Sequence, residues 1–147
     1  MELTAIYHRP ESEYAYLYKE RQVHIRIRTK KEDIEKIVLH YGDPFIFIED
    51  SYEGVKEMVK VTSDALFDYW QVAVSVRFAR IQYLFELKDK KGQSILYGDK
   101  GFTDNSPENL HHEGNGFKLP YIHEIDGCQV PEWVSKTVWY QIFPERF

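Results

Sequence analysis

The chain has 147 residues, a formal net charge of −5 and a single cysteine, Cys128. This length corresponds to one domain, and one cysteine excludes an internal disulfide. Lysine and arginine are scattered apart from short pairs such as Lys30–Lys31, whereas a nucleic-acid surface needs a dense basic stripe. The start, MELTAIYHRP, lacks the features of a secretory signal, and no apolar run approaches the ~20 residues that span a bilayer. We therefore expect a soluble, cytoplasmic protein without nucleic-acid or membrane partners.

Short strands separated by turns account for residues 15–98. The segment Val23–Lys30 alternates apolar and polar residues, which is the period of a half-buried strand. Comparable runs cover Ala15 to Tyr18, end at Tyr41, or start at Met58, Phe67, Ile81 and Ser94. Turn-forming residues separate them at Gly42–Asp43–Pro44, Glu53–Gly54, Asp89 to Gly92 and Gly98–Asp99. The pattern predicts an all-β antiparallel sandwich, with a turn of helix in KKEDIEKIV as a local alternative.

The texture of the sequence changes after Thr103. The polar stretch TDNSPENLHHEGNG predicts a long loop, and Pro131 marks the start of a short helical turn in a linker. The later run VWYQIF is almost entirely apolar, which is typical of a strand covered on both faces in a parallel sheet. We expect Val138–Phe143 to add to a sheet edge or to pack on another copy of the chain. The predicted division is a sandwich over 1–125, a linker over 126–136 and a strand over 137–147.

Motifs for common catalytic and metal chemistry are missing from the sequence. It contains no glycine-rich phosphate loop, no Cys–His metal spacing and no nucleophile elbow. The pair His111–His112 beside Glu113 is interpreted as a solvated loop rather than a metal site. A second group of oxygen ligands, of the type that calcium prefers, consists of Asp99, Asp104 and Glu108. We interpret this group as an exposed acidic loop and assign no metal ligand.

Aromatic residues make up 16% of the chain and supply the remaining candidates. Phe67, Tyr69 and Trp70 lie in a predicted strand and are interpreted as core packing, since alternation sends some of the rings inward. Phe45 and Phe47 follow the Gly–Asp–Pro turn at positions i and i+2, so they point to the same side. Either a hairpin buries these two rings or a loop offers them to a ligand, and the sequence leaves both interpretations open.

The segment EWVSKTVWYQIFPERF resembles the start of the catalytic barrel in the neopullulanase, cyclomaltodextrinase and maltogenic amylase group of the α-amylase superfamily. Segments resembling the N-terminal module of those enzymes occur in the same order: AIYHRP, RIRTKKEDI, YGDPF, SDALFDYW, IQYLFEL, GDKGF and PYIHEID. The resemblance implies an immunoglobulin-like, carbohydrate-binding-type sandwich ahead of a (β/α)8 barrel. It also implies that 137–147 is the first strand of a truncated barrel and that the chain is a piece of an enzyme.

The activity implied by the resemblance is retaining hydrolysis of α-1,4-glucosidic bonds by two carboxylates. Both carboxylates lie downstream in the family, so no catalytic residue is carried over to this sequence, and Glu145 receives no such role. We therefore expect the chain by itself to be inactive. The resemblance allows calcium in the parent enzyme and implies no cofactor in these 147 residues.

A homodimer is also implied, in which the module packs on the barrel of a second subunit and narrows its active-site cleft. The resemblance thereby implies a preference for cyclodextrins and short maltodextrins, with Phe45 and Phe47 as substrate-binding rings across the dimer. Relatives often have tyrosine and then tryptophan there, so a hydroxyl and an indole N–H are lost. Two alternatives stay open: a stand-alone starch-binding module with its own sugar platform, and a purely structural sandwich.

Overall fold

The computed structural model describes residues 1–46, 52–112, 114–123, 125, 130–142 and 145. Short 3-10 helices lie at Leu3–Ala5 and Val134–Lys136. The strands and the α-helix follow in chain order: β1 (Ala15–Lys19), β2 (Gln22–Lys30), β3 (Ile34–Gly42), β4 (Gly54–Glu57), β5 (Val59–Ser63), β6 (Phe67–Ser75), β7 (Ile81–Asp89), β8 (Ser94–Gly98), β9 (Gly101–Asp104), α1 (Pro107–His111) and β10 (Phe117–Leu119). None of the helices in this described part is long and apolar enough to cross a membrane.

The strands form two antiparallel sheets. Sheet A has the order β1-β2-β6-β5, and sheet B has the order β4-β3-β7-β8-β9, with β10 pairing with β7 next to β8. The chain crosses between the sheets from β2 to β3, from β4 to β5 and from β6 to β7. The predicted all-β antiparallel sandwich is therefore confirmed. The stretch KKEDIEKIV does not form a helix, since β3 already begins at Ile34.

The core lies between the two sheets and follows the alternation of the strands. In β2 the residues Val23, Ile25 and Ile27 are fully buried, and the intervening residues lie on the outer face. In the first half of β7 the residues that point away from the core are buried as well, since Gln82 and Leu84 are each only 1% exposed. The segment after β9 covers that second face, and a Cβ on Gly98 would lie 1.8 Å from a backbone oxygen of this segment. Strand β7 is consequently a rigid base for the residues that precede it.

His8 links the two sheets inside the core. Its Nδ1 lies 2.7 Å from the carbonyl oxygen of Arg26 in β2, and its Nε2 lies 2.8 Å from the hydroxyl of Tyr83 in β7. Because a carbonyl can only accept, Nδ1 carries the proton and Nε2 accepts from the tyrosine. Burial lowers the pKa of His8 to about 4, although the bond to the Arg26 carbonyl raises it in part. This histidine is a neutral structural residue near neutral pH.

The polar stretch after Thr103 is more ordered than the long loop that the sequence predicts. Strand β9 extends to Asp104, and α1 follows it. The Ser106 side chain accepts the backbone N–H of Asn109 at 3.2 Å and caps α1, with Pro107 in its first turn. A serine cap followed by proline is a helix-start signal that the prediction of a loop overlooked.

The C-terminal segment departs from its predicted strand. Residues 137–142 form no strand and pair with neither sheet among the described residues, and Val138 is 95% and Tyr140 81% exposed. Residues 138–142 therefore do not add to a sheet edge of this chain, while their packing on another copy stays a prediction. Phe143 lies outside the described residues. A strand that is apolar on both faces needs neighbours and cover on both sides. The two sheets described here do not provide such a position.

Candidate functional site at the end of the sandwich

The candidate site lies where β3 ends and β7 begins. The antiparallel register pairs Gly42 with Gln82. The next residue after β3, Asp43, is therefore brought beside Arg80, the last residue before β7, although the two are 37 positions apart in the chain. Two loops that are distant in sequence thus share one end of the sandwich.

Asp43 organises the turn that follows β3. Its side chain is only 3% exposed and accepts two hydrogen bonds from Arg80 Nε, at 3.0 Å to Oδ1 and 2.9 Å to Oδ2. Oδ1 also accepts the backbone N–H of Phe45 at 2.8 Å. The backbone N–H of Asp43 donates to Glu53 Oε2 at 2.8 Å, and its carbonyl accepts the N–H of Ile46 at 3.2 Å. One buried carboxylate therefore fixes both the loop and the arginine.

Phe45 lies on the outside of this turn and is 77% exposed. The guanidinium carbon of Arg80 lies 4.7 Å from the centroid of the Phe45 ring and 5.2 Å from the centroid of the Phe78 ring. Both distances are within the range of cation–π contact. Of the two interpretations that the sequence left open, burial in a hairpin is wrong for Phe45, because a core ring is shielded from solvent. Phe47 lies outside the described residues.

Phe78 and Arg77 extend this surface from the second loop. Phe78 is 39% exposed, and the guanidinium carbon of Arg77 lies 5.3 Å from its ring centroid. Both residues line a depression of about 370 Å³, whose other walls are Glu20, Arg21, Ala79, Ile122 and His123. Flat apolar ring faces beside planar N–H donors suit the C–H face and the hydroxyl groups of a sugar ring. The arrangement is therefore chemically suited to hold a carbohydrate.

A second aromatic surface lies on the outer face of sheet A. The predicted core role of three aromatic residues of β6 is confirmed for Trp70, which is 6% exposed, and is wrong for Phe67 and Tyr69. These two residues alternate with Trp70 and so project from the opposite face of the strand. The aromatic and cationic residues of this outer face include Tyr16, Tyr18, His24, Arg26, Arg28, Lys30, Phe67 and Tyr69.

Side chains on this outer face pack on one another. The rings of Tyr18 and His24 are stacked, with centroids 4.1 Å apart and an angle of 13° between their planes. The guanidinium carbon of Arg28 lies 4.2 Å from the Phe67 ring centroid. Burial lowers the pKa of His24, and the charge of Arg26 lowers it further. The surface is aromatic, but neighbouring side chains already cover much of the area of its rings.

The other candidates from the sequence do not form a site. Within the residues described here, no group of three or more histidine, cysteine, aspartate or glutamate side chains could hold a metal ion. Asp99, Asp104 and Glu108 are exposed, and so is Glu145. Glu113, which the sequence places beside two histidines, lies outside the described residues.

Sequence reasoning did not identify Arg80 and Phe78 as parts of the site. One signal was available, because an aspartate in a Gly–Asp–Pro turn that becomes buried requires a cation, and RFAR supplies two arginines directly before a predicted strand. The missing information was the pairing of β3 with β7, which alone brings Asp43 and Arg80 together.

Comparison with known proteins places the chain in a family. A family profile described as "Alpha amylase, N-terminal ig-like domain" matches residues 1–123. The chain is 45% identical to the "Maltogenic alpha-amylase" of Bacillus acidopullulyticus, over 97% of this chain and 24% of the relative. It is 42% identical to the "Intracellular maltogenic amylase" of Bacillus subtilis (strain 168), over 100% of this chain and 25% of the relative.

A solved structure agrees with the sequence relatives. The structure named "Cyclomaltodextrinase" superposes with a TM-score of 0.81 and 34% identity, covering 98% of this chain and 24% of the other. The chain thus spans about a quarter of the length of the proteins it matches. These matches confirm the resemblance that the sequence motifs implied and the immunoglobulin-like sandwich.

Proposed function

The chain belongs to the family of α-amylase N-terminal immunoglobulin-like domains, and we propose that it narrows the active-site cleft of a partner subunit in a dimeric α-glucan hydrolase. The proposed substrates are cyclodextrins, in line with the name of the similar "Cyclomaltodextrinase", and short maltodextrins. The observation that carries the proposal is the Phe45 ring, which is 77% exposed on a turn held by a buried carboxylate. A fixed, exposed ring offers apolar contact to a sugar face.

The proposed dimer brings this ring to a neighbouring subunit through a two-fold interface. Exposed apolar side chains along the edge formed by β4 and β5 support contact with protein: Val55, Val59 and Val61 are each at least 52% exposed. The catalytic barrel of the same enzyme is a further partner of this domain. We also propose the division into 1–125, 126–136 and 137–147, with the last segment as the first barrel strand.

Hydrolysis itself is assigned to the catalytic barrel. A retaining mechanism needs two carboxyl groups about 5 Å apart on either side of the scissile bond, and no residue of this chain is given either role. The pure 147-residue chain is expected to release neither glucose nor maltose from β-cyclodextrin. Release of either sugar would place catalytic residues in this domain and overturn the assignment.

A paired measurement on Phe45→Ala tests the proposed cleft function. The melting temperature of the 147-residue chain should change little, because the ring is exposed. In the full-length enzyme that carries this domain, the KM for β-cyclodextrin should rise. A large fall in melting temperature with an unchanged KM would show that Phe45 serves the fold and would refute the proposal.

Direct binding of α-glucan by the outer face of sheet A is a second candidate function, favoured by its aromatic residues. Tyr18 is 51% exposed and is the ring of this face most open to solvent among those described. If this face is a starch platform, the 147-residue chain should adsorb to insoluble starch and Tyr18→Ala should weaken adsorption. If only the first function is present, the chain should stay in solution.

A cytoplasmic location is proposed for the parent enzyme. The similar protein of Bacillus subtilis (strain 168) is named an intracellular maltogenic amylase. Fractionation of cells that express the full-length enzyme, with immunodetection of this domain, would test the location.

A further inference from the structure

We infer that Arg80 positions Phe45 and Phe78 as one two-ring surface for an α-glucan, so that Arg80 and Phe78 help determine substrate specificity. This inference rests on the proposed function and deepens it. Phe45 and Phe78 come from different loops, and Arg80 is the residue that contacts both rings.

Arg80 is anchored by the carboxylate of Asp43. Its contact with Asp43 uses the Nε edge of the guanidinium, at 2.9 and 3.0 Å from the two carboxylate oxygens. The carboxylate is 3% exposed, whereas the Arg80 side chain is 35% exposed. The charged group therefore has one buried, fixed edge and extends from there to the surface.

The same guanidinium contacts both rings. Its carbon lies 4.7 Å from the Phe45 centroid and 5.2 Å from the Phe78 centroid. A planar guanidinium can bind a carboxylate with its edge while its face covers a ring, whereas a lysine ammonium is a compact point charge without such a face. Lysine at this position would therefore not reproduce a contact that is anchored at one edge and reaches both rings.

Ordering an exposed ring on ligand binding costs conformational entropy. An exposed phenylalanine on a loop must lose rotamer freedom when a sugar packs on it, and this loss weakens binding. Contact with an anchored guanidinium restricts Phe45 before the ligand arrives. One side of the ring faces Arg80, and the exposed remainder is available to a sugar.

The chemical groups of this surface indicate the class of ligand. Phenylalanine has no hydrogen-bonding group, so Phe45 and Phe78 can supply only apolar contact. The guanidinium carries five N–H groups, of which the contact with Asp43 uses the one on Nε. Rings and N–H donors side by side match a glucan, and the surface continues through Phe78 into the depression of about 370 Å³.

The test compares Arg80→Lys with the matched control Arg9→Lys in the full-length enzyme. Arg9 is exposed and belongs to neither aromatic surface. Arg80→Lys should raise the KM for β-cyclodextrin about 3- to 10-fold with kcat unchanged, because it removes preorganised binding. All values for Arg9→Lys should stay within twofold of the parent values.

A double-mutant cycle shows whether Arg80 acts through the ring. In a Phe45→Ala background, Arg80→Lys should raise the KM by less than it does alone, because only the Phe78 ring is then left for Arg80 to position. Full additivity would overturn the inference even if each single change raises the KM. If Arg80→Lys lowers the melting temperature of the chain too far for kinetics, Phe78→Leu replaces it. An unchanged KM for Phe78→Leu would then refute the two-ring surface.

The outcomes separate the inference from the function on which it rests. If Phe45→Ala leaves the KM for β-cyclodextrin unchanged, the proposed cleft function fails and the inference fails with it. If Phe45→Ala raises the KM but Arg80→Lys and Phe78→Leu do not, the cleft function stands and the inference alone is wrong.

Discussion

The two aromatic surfaces of this domain differ in how their arginines are used. At the end of the sandwich, Arg80 is bonded to a buried carboxylate and leaves the Phe45 ring 77% exposed. On the outer face of sheet A, Arg28 lies against the Phe67 ring at 4.2 Å, and Tyr18 is stacked on His24. The first arrangement fixes a ring without covering it, whereas the second covers rings with their neighbours. This difference favours the sandwich end as the ligand site and the sheet face as packing.

The largest expected effect is a loss of stability in acid, which should affect the whole sandwich through His8. Its pKa in the folded chain is about 4, against an ordinary value of 6.5. The unfolded chain therefore binds a proton first as the pH falls, so the contribution is complete above pH 6.5 and is lost towards pH 4. The loss from this group is about 3 kcal/mol. Urea unfolding at pH 7, 5 and 4 measures it.

His8→Asn is the matched variant for that experiment, because it keeps a side chain with hydrogen-bonding groups but does not titrate. Its free energy of unfolding should fall less between pH 7 and pH 4 than that of the parent chain. Equal pH dependence in the two chains would assign the acid sensitivity to carboxylates and remove His8 from the explanation.

The next effect tests the anchor at the sandwich end. Asp43→Ala should lower the free energy of unfolding by about 2 kcal/mol, because it removes a buried ion pair and several turn hydrogen bonds. The partly exposed Arg80 can reach water, which keeps the loss below that of a fully buried pair. Chemical denaturation of the 147-residue chain provides the value.

The exposed pair of Lys136 and Glu132, 3.1 Å apart on the surface, supplies the control. Lys136→Ala should cost less than about 0.5 kcal/mol, as is usual for solvated pairs. If Asp43→Ala costs no more than Lys136→Ala, the carboxylate is not an anchor and the contrast between the two surfaces fails.

The comparison can be made directly with one ring from each surface. Phe67→Ala should cost about 1–2 kcal/mol, since Phe67 is half-buried under Arg28, whereas Phe45→Ala should cost less than about 0.5 kcal/mol. Both variants remove the same side chain, so each is the control of the other. A loss of about 3–5 kcal/mol for Phe45→Ala would match a core phenylalanine and would exclude its role as a ligand-contacting ring.

The smallest effect is a local change of pKa on sheet A. Burial is the main cause of the lowered pKa of His24, and the stacked Tyr18 ring covers its imidazole. Tyr18→Ala should therefore raise the pKa of His24 towards its ordinary value, without a large change in stability. An NMR titration of the histidine ring protons detects the shift, and His8 serves as an internal reference that should not move.

Period-two alternation predicted seven of the strands, β1 to β3 and β5 to β8, because the pattern is local and each face is read from a few neighbouring residues. The short strands β4, β9 and β10 were not among the predictions. It could not decide the orientation of FDYW, since alternation separates Trp70 from Phe67 and Tyr69 but does not tell which set is inside. The exposure of Phe45 depends on Arg80, whose proximity comes from strand pairing over a long separation. The strand over 138–142 was not formed because its apolar faces need a sheet that the described residues do not supply.

The pairing of β3 with β7 ends at Gly42 and Gln82. The paired strands form a rigid scaffold, whereas the side chains in the loops beyond them can vary. Two well-packed strands determine the spacing of Asp43 and Arg80. The residues at the tip of the turn can therefore be exchanged without moving the Asp43–Arg80 ion pair. A ring at position 45 could be replaced by tyrosine or tryptophan, and hydrogen-bonding groups could be added, with little demand on the rest of the sandwich. Under the proposed cleft function, a short graft in the turn directly after Asp43 would change the sugar that the domain accepts, while the Asp43–Arg80 ion pair stays in place.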